Sequence, residues 1–225
     1  MKSRGIVFFD AGNTMLYPRI SIGKVYARYA EHYGIEADSS VLDRGFRDAW
    51  KALKADKHKV IKDTDDKLWW KELVRQSWIH LPLPSHFPFD DYFESVYEAF
   101  ALPQLWKVYP DLWPTLEILK EVGIQCGILS NWDRRLYPVL KGHGLFNRFD
   151  PIVISSEVGF NKPDPRIFRY AEQISGFSAD ECLLIGDDQV LDGEGARAVG
   201  WSSLILDRPR LGTEHVLDQI LEKTT

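Results

Sequence analysis

Four apolar residues in succession, Ile6-Val7-Phe8-Phe9, run directly into Asp10 and a turn-forming Ala11-Gly12-Asn13. An unbroken apolar run of this length predicts a strand buried on both faces, as in a parallel sheet, where strict alternation would predict a half-exposed one. Asp10 then stands at the strand's carboxyl end. In open parallel α/β sheets that edge forms the ligand crevice, because the loops there lead into helix N-termini.

From Leu16 to about Leu105 the pattern changes. Ile22 to Tyr33, Val41 to Leu53, Leu68 to Ile79 and Tyr92 to Phe100 carry apolar residues at three- and four-residue spacing, which predicts four amphipathic helices. The charged stretch Ala55 to Asp66 and the proline-bearing Leu81 to Pro88 are expected to be loops between them. Trp69 and Trp70 are neighbours on one helix and point in different directions, so at least one is expected in the core.

Beyond about Trp106 short apolar runs alternate with helical spacing. Helices are predicted over Leu112 to Val122, Arg134 to Lys141, Arg166 to Ile174, Val190 to Val199 and His215 to Leu221. Strands are predicted over Ile124 to Leu129, Pro151 to Ile154, Cys182 to Ile185 and Ser203 to Leu206. This βα alternation specifies a parallel sheet, to which Ile6 to Phe9 also belongs. Residues 1–16 and 105–225 would form the α/β core, with residues 17–104 a helical insertion. It joins the core by two short connections, near Tyr17 and Pro103, an arrangement suited to hinge motion.

Composition narrows the function. The 225 residues are 44% hydrophobic and carry a formal charge of -5, so a sizeable core is available and no basic surface for nucleic acid or anionic membrane is indicated. The first apolar run is too short for a secretory h-region, and a cytoplasmic location is expected. Cys126 and Cys182 lie in strand-like runs without metal-ligand spacing and are expected to be buried thiols.

The polar residues just beyond the strands collect at one edge. Asp10 and Thr14 come after the first strand, Ser130-Asn131 after the next, and Gly186-Asp187-Asp188 after a later one, with Asp192 beyond. Lys162, in Asn161-Lys162-Pro163-Asp164-Pro165, sits where two prolines stiffen the backbone and no helical face claims it. Asp10 and Asp187 with backbone carbonyls offer hard oxygen ligands for Mg²⁺, while Ser130, Lys162 and turn amides suit phosphoryl oxygens.

In these residues the chain resembles the haloacid dehalogenase (HAD) superfamily, in the branch with a helical cap after the first motif. Asp10 to Thr14 is similar to the first family motif, Ser130-Asn131 to the second, Lys162-Pro163 to the third, and Gly186-Asp187 with Asp192 to the fourth. Leu68-Trp69-Trp70 and Ser130-Asn131-Trp132-Asp133-Arg134-Arg135 also look like the haloacid dehalogenase-like hydrolase domain-containing group. The resemblance implies a doubly wound parallel sheet and an Mg²⁺-dependent hydrolase, foremost a phosphatase of a small phosphorylated metabolite. It implies Asp10 as nucleophile and Ser130, Asn131 and Lys162 as phosphate ligands. Asp10, Asp187 and the Gly12 carbonyl would hold Mg²⁺, with Thr14 and Asp192 in support.

One position departs from the family pattern. Family phosphatases place a second aspartate, the general acid and base, two residues after the nucleophile, and here that residue is Gly12. Loss of such a group costs roughly 10²- to 10⁴-fold in rate. Gly12 is there either to allow a positive φ or because the acid is dispensed with. Asp188 is a candidate replacement or an ordinary turn residue. Gly193-Glu194-Gly195-Ala196-Arg197-Ala198 has the letters of a dinucleotide fingerprint but stands too far beyond its strand, so close helix packing is expected instead. Arg134 and Arg135 are expected at the surface. The alternatives to a phosphatase are a catalytically silent phosphate- or protein-binding module and a hydrolase of C–halogen or C–P bonds.

Overall fold

The run Ile6–Phe9 forms strand β1, all four residues fully buried, at the centre of a five-stranded parallel sheet. The computed structural model describes residues 5–55, 63–81, 83–208, 212–213 and 217–224. In chain order the elements after β1 are β2 (Leu16–Pro18), α1 (Ile22–Glu31), α2 (Ser39–Ala55), α3 (Asp63–Gln76), α4 (Phe89–Ala99), β3 (Trp106–Val108) and α5 (Leu112–Glu121). Then come β4 (Gln125–Ser130), α6 (Leu136–Gly142), β5 (Ile152–Ile154), α7 (Ser155–Val158), α8 (Pro165–Ser175), β6 (Cys182–Gly186), α9 (Gly195–Ala198), β7 (Ser202–Ile205) and α10 (Leu217–Thr224).

The sheet order is β5-β4-β1-β6-β7, and a separate pair joins β2 to β3. The chain adds strands outward on one side of β1 and then returns to build the other side. This reversal is the switch point at which doubly wound folds open a crevice. Register sets the edge: Phe9 pairs with Ile128 of β4 and Ile185 of β6, so the loops leaving these strands emerge at one level. Ile6 and Phe8 face a core shared with Leu184 of β6 and Ile167, Phe168 and Ala171 of α8. The α/β class and parallel sheet expected from the chain are those observed.

The chain divides into two compact units, residues 1–17 with 107–225, and residues 18–106. In the second unit, Tyr26 of α1, Leu42 of α2, Val74 of α3 and Tyr92 and Phe93 of α4 share one core. The Tyr92 hydroxyl donates to the Tyr26 carbonyl at 3.2 Å. Trp69 and Trp70 are both half-buried and pack edge to face with Trp50 of α2 or with each other.

Some boundaries differ from the periodic pattern. α3 begins at Asp63, inside the stretch expected to be a loop, because its charged first turn extends the helix without an apolar position to announce it. Residues 56–62 of that stretch lie outside the described residues, as does the start of the last expected helix at His215. The helix expected over Val190 to Val199 is two pieces, a π-helical turn Gln189–Glu194 and then α9. No helix among the described residues is long and apolar enough to cross a membrane.

Candidate active site

Asp10 leaves the end of β1 with its amide donating to the Ile185 carbonyl of β6 at 2.8 Å. Its Oδ1 accepts from Ser130 Oγ, the last residue of β4, at 2.9 Å and from Lys162 Nζ at 2.8 Å. Lys162 Nζ also donates to Asp192 Oδ1 at 2.5 Å. That ammonium is nearly sealed from solvent, its side chain 1% exposed and that of Asp192 2%. Residues 10, 130, 162 and 192 thus form one buried ionic cluster built from four separate segments of the chain.

Each member is held from behind. The Asn131 side chain brackets the Lys162 peptide, accepting from its amide at 2.7 Å and donating to its carbonyl at 3.0 Å. Its polar ends are therefore committed to positioning Lys162. Asp192 is fixed through Oδ2, which accepts the Asp188 amide at 3.0 Å. The π turn brings it there, and a π turn widens the helix by one residue. Gly186 completes the fit, since a Cβ at that position would overlap the Asp192 carboxylate.

Asp187 stands just past β6 and accepts from the buried Thr14 hydroxyl at 3.4 Å. Asp10, Asp187 and Asp192 each present a carboxylate oxygen, all within 4.8 Å of one another. Three acids face one ammonium. Asp187 is pushed up to about 7, by burial first and then by repulsion from Asp10 and Asp192. Burial also raises Asp10, with Lys162 opposing and Asp192 adding to the rise. For Lys162, burial favours the neutral form, but Asp10 and Asp192 outweigh it and raise its pKa. Hard oxygens at this spacing with uncompensated negative charge fit a small divalent cation such as Mg²⁺.

The loop after Asp10 is tight. Asn13, at φ 54°, takes the left-handed conformation that asparagine tolerates, and its amide donates to the Leu16 carbonyl at 2.7 Å. Gly12 does not have a positive φ, so backbone conformation is not what requires glycine there.

Several other expectations meet a definite outcome. Arg135 is not a surface group: it is buried, and its guanidinium grips the buried Asp133 carboxylate, with Nη2 to Oδ2 at 2.6 Å. A carboxylate two residues away, able to take a fork of two N–H groups, makes this burial tolerable. Arg134 lies outside and reaches Glu157 at 3.1 Å. Asp188 caps the π turn, Oδ1 accepting the Val190 and Leu191 amides, both at 2.9 Å. Gly195 packs against Pro163 and Phe168, so the glycine-rich letters serve helix packing. Cys182 is buried and Cys126 half-buried, and burial pushes both thiols up to about 12.

Two residues near the site had no role assigned to them from the sequence. Trp132, immediately after Asn131, faces Gly12. Arg208, just beyond β7, donates to the Thr14 carbonyl. A charged residue after a parallel strand at the ligand edge was the signal for Arg208.

Known proteins share this outline. A family model described as haloacid dehalogenase-like hydrolase matches residues 6–200. Human haloacid dehalogenase-like hydrolase domain-containing protein 3 is 30% identical over 217 residues, spanning 96% of this chain and 86% of its own. An uncharacterized protein of Saccharomyces cerevisiae is 33% identical over 224 residues, spanning 90% of this chain and 72% of its own. Among solved structures, a HAD phosphatase from Thermococcus onnurineus superposes with a TM-score of 0.65 at 24% identity, over 98% of each chain. The L-2-haloacid dehalogenase of Xanthobacter autotrophicus, with chloropropionic acid covalently bound, gives 0.66 at 18% identity, over 97% of this chain and 82% of its own. At those identities the structural likeness speaks to the fold.

Proposed function

Because the chain belongs to the haloacid dehalogenase-like hydrolase family, we propose that it is an Mg²⁺-dependent phosphatase of a small phosphorylated metabolite, working through an aspartyl-phosphate on Asp10. The observation that carries this reading is the imbalance of charge at the sheet edge: Asp10, Asp187 and Asp192 lie within 4.8 Å of one another, and among the described residues Lys162 is the cation that pairs with Asp10 and Asp192. A phosphate monoester brings more negative charge, so a divalent cation is needed to let a carboxylate approach phosphorus. Asp10 and Asp187, with the Gly12 carbonyl, would hold it. When bound, Mg²⁺ supplies charge neutralisation and polarises the phosphoryl oxygens.

The chain's own residues account for the remaining steps. An Asp10 carboxylate oxygen forms a bond to phosphorus while the bond from phosphorus to the leaving oxygen breaks. Lys162 Nζ and Ser130 Oγ, which converge on Asp10 Oδ1 at 2.8 and 2.9 Å, are close enough to donate to the transferred oxygens. Asn131 and Asp192 keep Lys162 aimed, and Thr14 orients Asp187. Water then attacks phosphorus, the bond to Asp10 breaks, and phosphate departs. At Gly12 no carboxylate protonates the leaving oxygen or takes the water's proton, so both protons are exchanged with solvent: the first half is slowed for a poor leaving group and the second half for every substrate.

A carbon–halogen hydrolase is the second reading, and Gly12 is what favours it, since a halide leaves without a proton. A substrate panel separates the two. Phosphorylated metabolites, an aryl phosphate and 2-haloacids are assayed with Mg²⁺ and with EDTA, against Asp10→Asn as the blank. Phosphate release that needs both Mg²⁺ and Asp10 supports the proposal. Halide release indifferent to EDTA overturns it, and inertness towards every substrate gives way to a phosphate- or protein-binding module. The site would be that of a chain without nucleic-acid or membrane partners, acting in the cytoplasm.

A further inference from the structure

Arg208 sits just past β7, and its side chain is 7% exposed. Its guanidinium touches different parts of the chain. Nη1 pairs with Asp111 Oδ1 at 2.7 Å, Nη2 donates to the Thr14 carbonyl at 2.9 Å, and the plane lies over the Tyr109 ring at 4.0 Å. Asp111 is held in turn, its Oδ2 accepting the Thr213 amide at 2.7 Å and the Thr213 hydroxyl at 2.5 Å. Tyr109 is tied to the same loop, its amide donating to the Met15 carbonyl at 3.0 Å.

The contact with Thr14 matters because of what Thr14 touches. Its hydroxyl donates to Asp187 Oδ1 at 3.4 Å, and two residues earlier lies Gly12. A clasp on the Thr14 carbonyl therefore acts on Asp187 through the Thr14 hydroxyl and on the loop that carries Gly12 through the backbone. An open cleft of about 210 Å³ reaches this point, lined by Asn13, Tyr109, Asp187, Leu206, Asp207 and Arg208. A buried ion pair at the wall of a polar cleft gains little stability over an apolar packing of the same volume. Its fork geometry, which lysine cannot reproduce, is what holds two partners at once.

We infer that Arg208 is a positioning residue for the cation site: by clasping the Thr14 carbonyl it holds Asp187 and the Gly12 carbonyl in ligating geometry. The inference rests on the proposed Mg²⁺ site. Supports behind metal ligands are typically worth 10- to 100-fold in metal affinity.

The test is a double-mutant cycle on the full chain, read by calorimetric Mg²⁺ titration, with Arg208→Lys, Thr14→Val and the pair. Lysine keeps a charge for Asp111 but cannot also span to Thr14. Arg208→Lys is expected to weaken Mg²⁺ roughly 10- to 100-fold while its urea midpoint stays close to wild type. The double variant should be little worse than either single, because both cut one linkage. Full additivity, or a loss of affinity matched by a loss of folding, overturns the inference and leaves the phosphatase reading standing. Wild-type protein that fails to bind Mg²⁺ overturns both.

Discussion

A Cβ built on Gly12 would meet nothing nearer than Trp132 Cζ3, at 3.6 Å, an ordinary van der Waals contact. With no positive φ at Gly12, a side chain can begin there without backbone strain or a clash at its Cβ. Gly12→Asp should therefore fold as wild type does and supply the acid and base two residues after Asp10. In rapid-quench kinetics with an aryl phosphate, wild type should show a burst and then slow turnover, because a good leaving group needs little protonation whereas hydrolysis of the intermediate needs a base. Gly12→Asp should shrink the burst and raise steady turnover towards the roughly 10²- to 10⁴-fold that such a group contributes. A variant that is folded yet no faster would mean that water is activated elsewhere.

Lys162 stands between two buried carboxylates, so its removal leaves both uncompensated. Lys162→Met should lower unfolding free energy by about 3 to 5 kcal/mol, the range for breaking a buried pair. Adding Asp192→Asn should return part of that loss, because one of the stranded charges goes with it. Urea denaturation of the single and double variants measures this; simple additivity would show that Asp192 is not the partner the geometry makes it.

The raised Asp187 carboxyl sets the sign of a pH effect. Its pKa is about 7 in the folded chain against an ordinary 3.8, so between these values the folded state keeps a proton that the unfolded chain has released. Stability must fall as pH rises through that window, and the loss is complete above about 7. In EDTA, urea midpoints should drop from about pH 5 to about pH 8. Asp187→Asn should lessen the slope by at most about 1.4 kcal/mol per pH unit, the value for one proton. An unchanged slope would assign the titration to another group.

Gly186 lies against the Asp192 carboxylate with no room for a methyl group. Gly186→Ala should displace Asp192 and with it the Lys162 ammonium, at a cost of about 1 to 3 kcal/mol typical of overpacking. Thermal melting reads the loss, and turnover should fall with it. A fully stable and active variant would show that the backbone can shift away, leaving Asp192 in place.

Much of this protein is legible along the chain because hydrophobic periodicity reports one element at a time. The apolar run Ile6 to Phe9 specifies a doubly buried strand, and the repeated alternation after Trp106 specifies a parallel sheet. Hence Asp10, Ser130 and Asp187 emerge at one edge, since parallel strands all end on the same side. Local pattern says nothing about which long side chains then meet. That Lys162 reaches both Asp10 and Asp192, 152 and 30 residues away, depends on strand register and on a π turn whose extra residue leaves no periodic trace. The same limit hid Arg135, buried by an aspartate two residues before it. It hid Arg208, whose partner Thr14 lies 194 residues distant. Gly12 carries the sharpest division: the sequence alone determined that no carboxylate stands two residues after Asp10. Only the tertiary structure decided that a side chain can start there, because that depends on the backbone angle at Gly12 and on where the Trp132 ring stops.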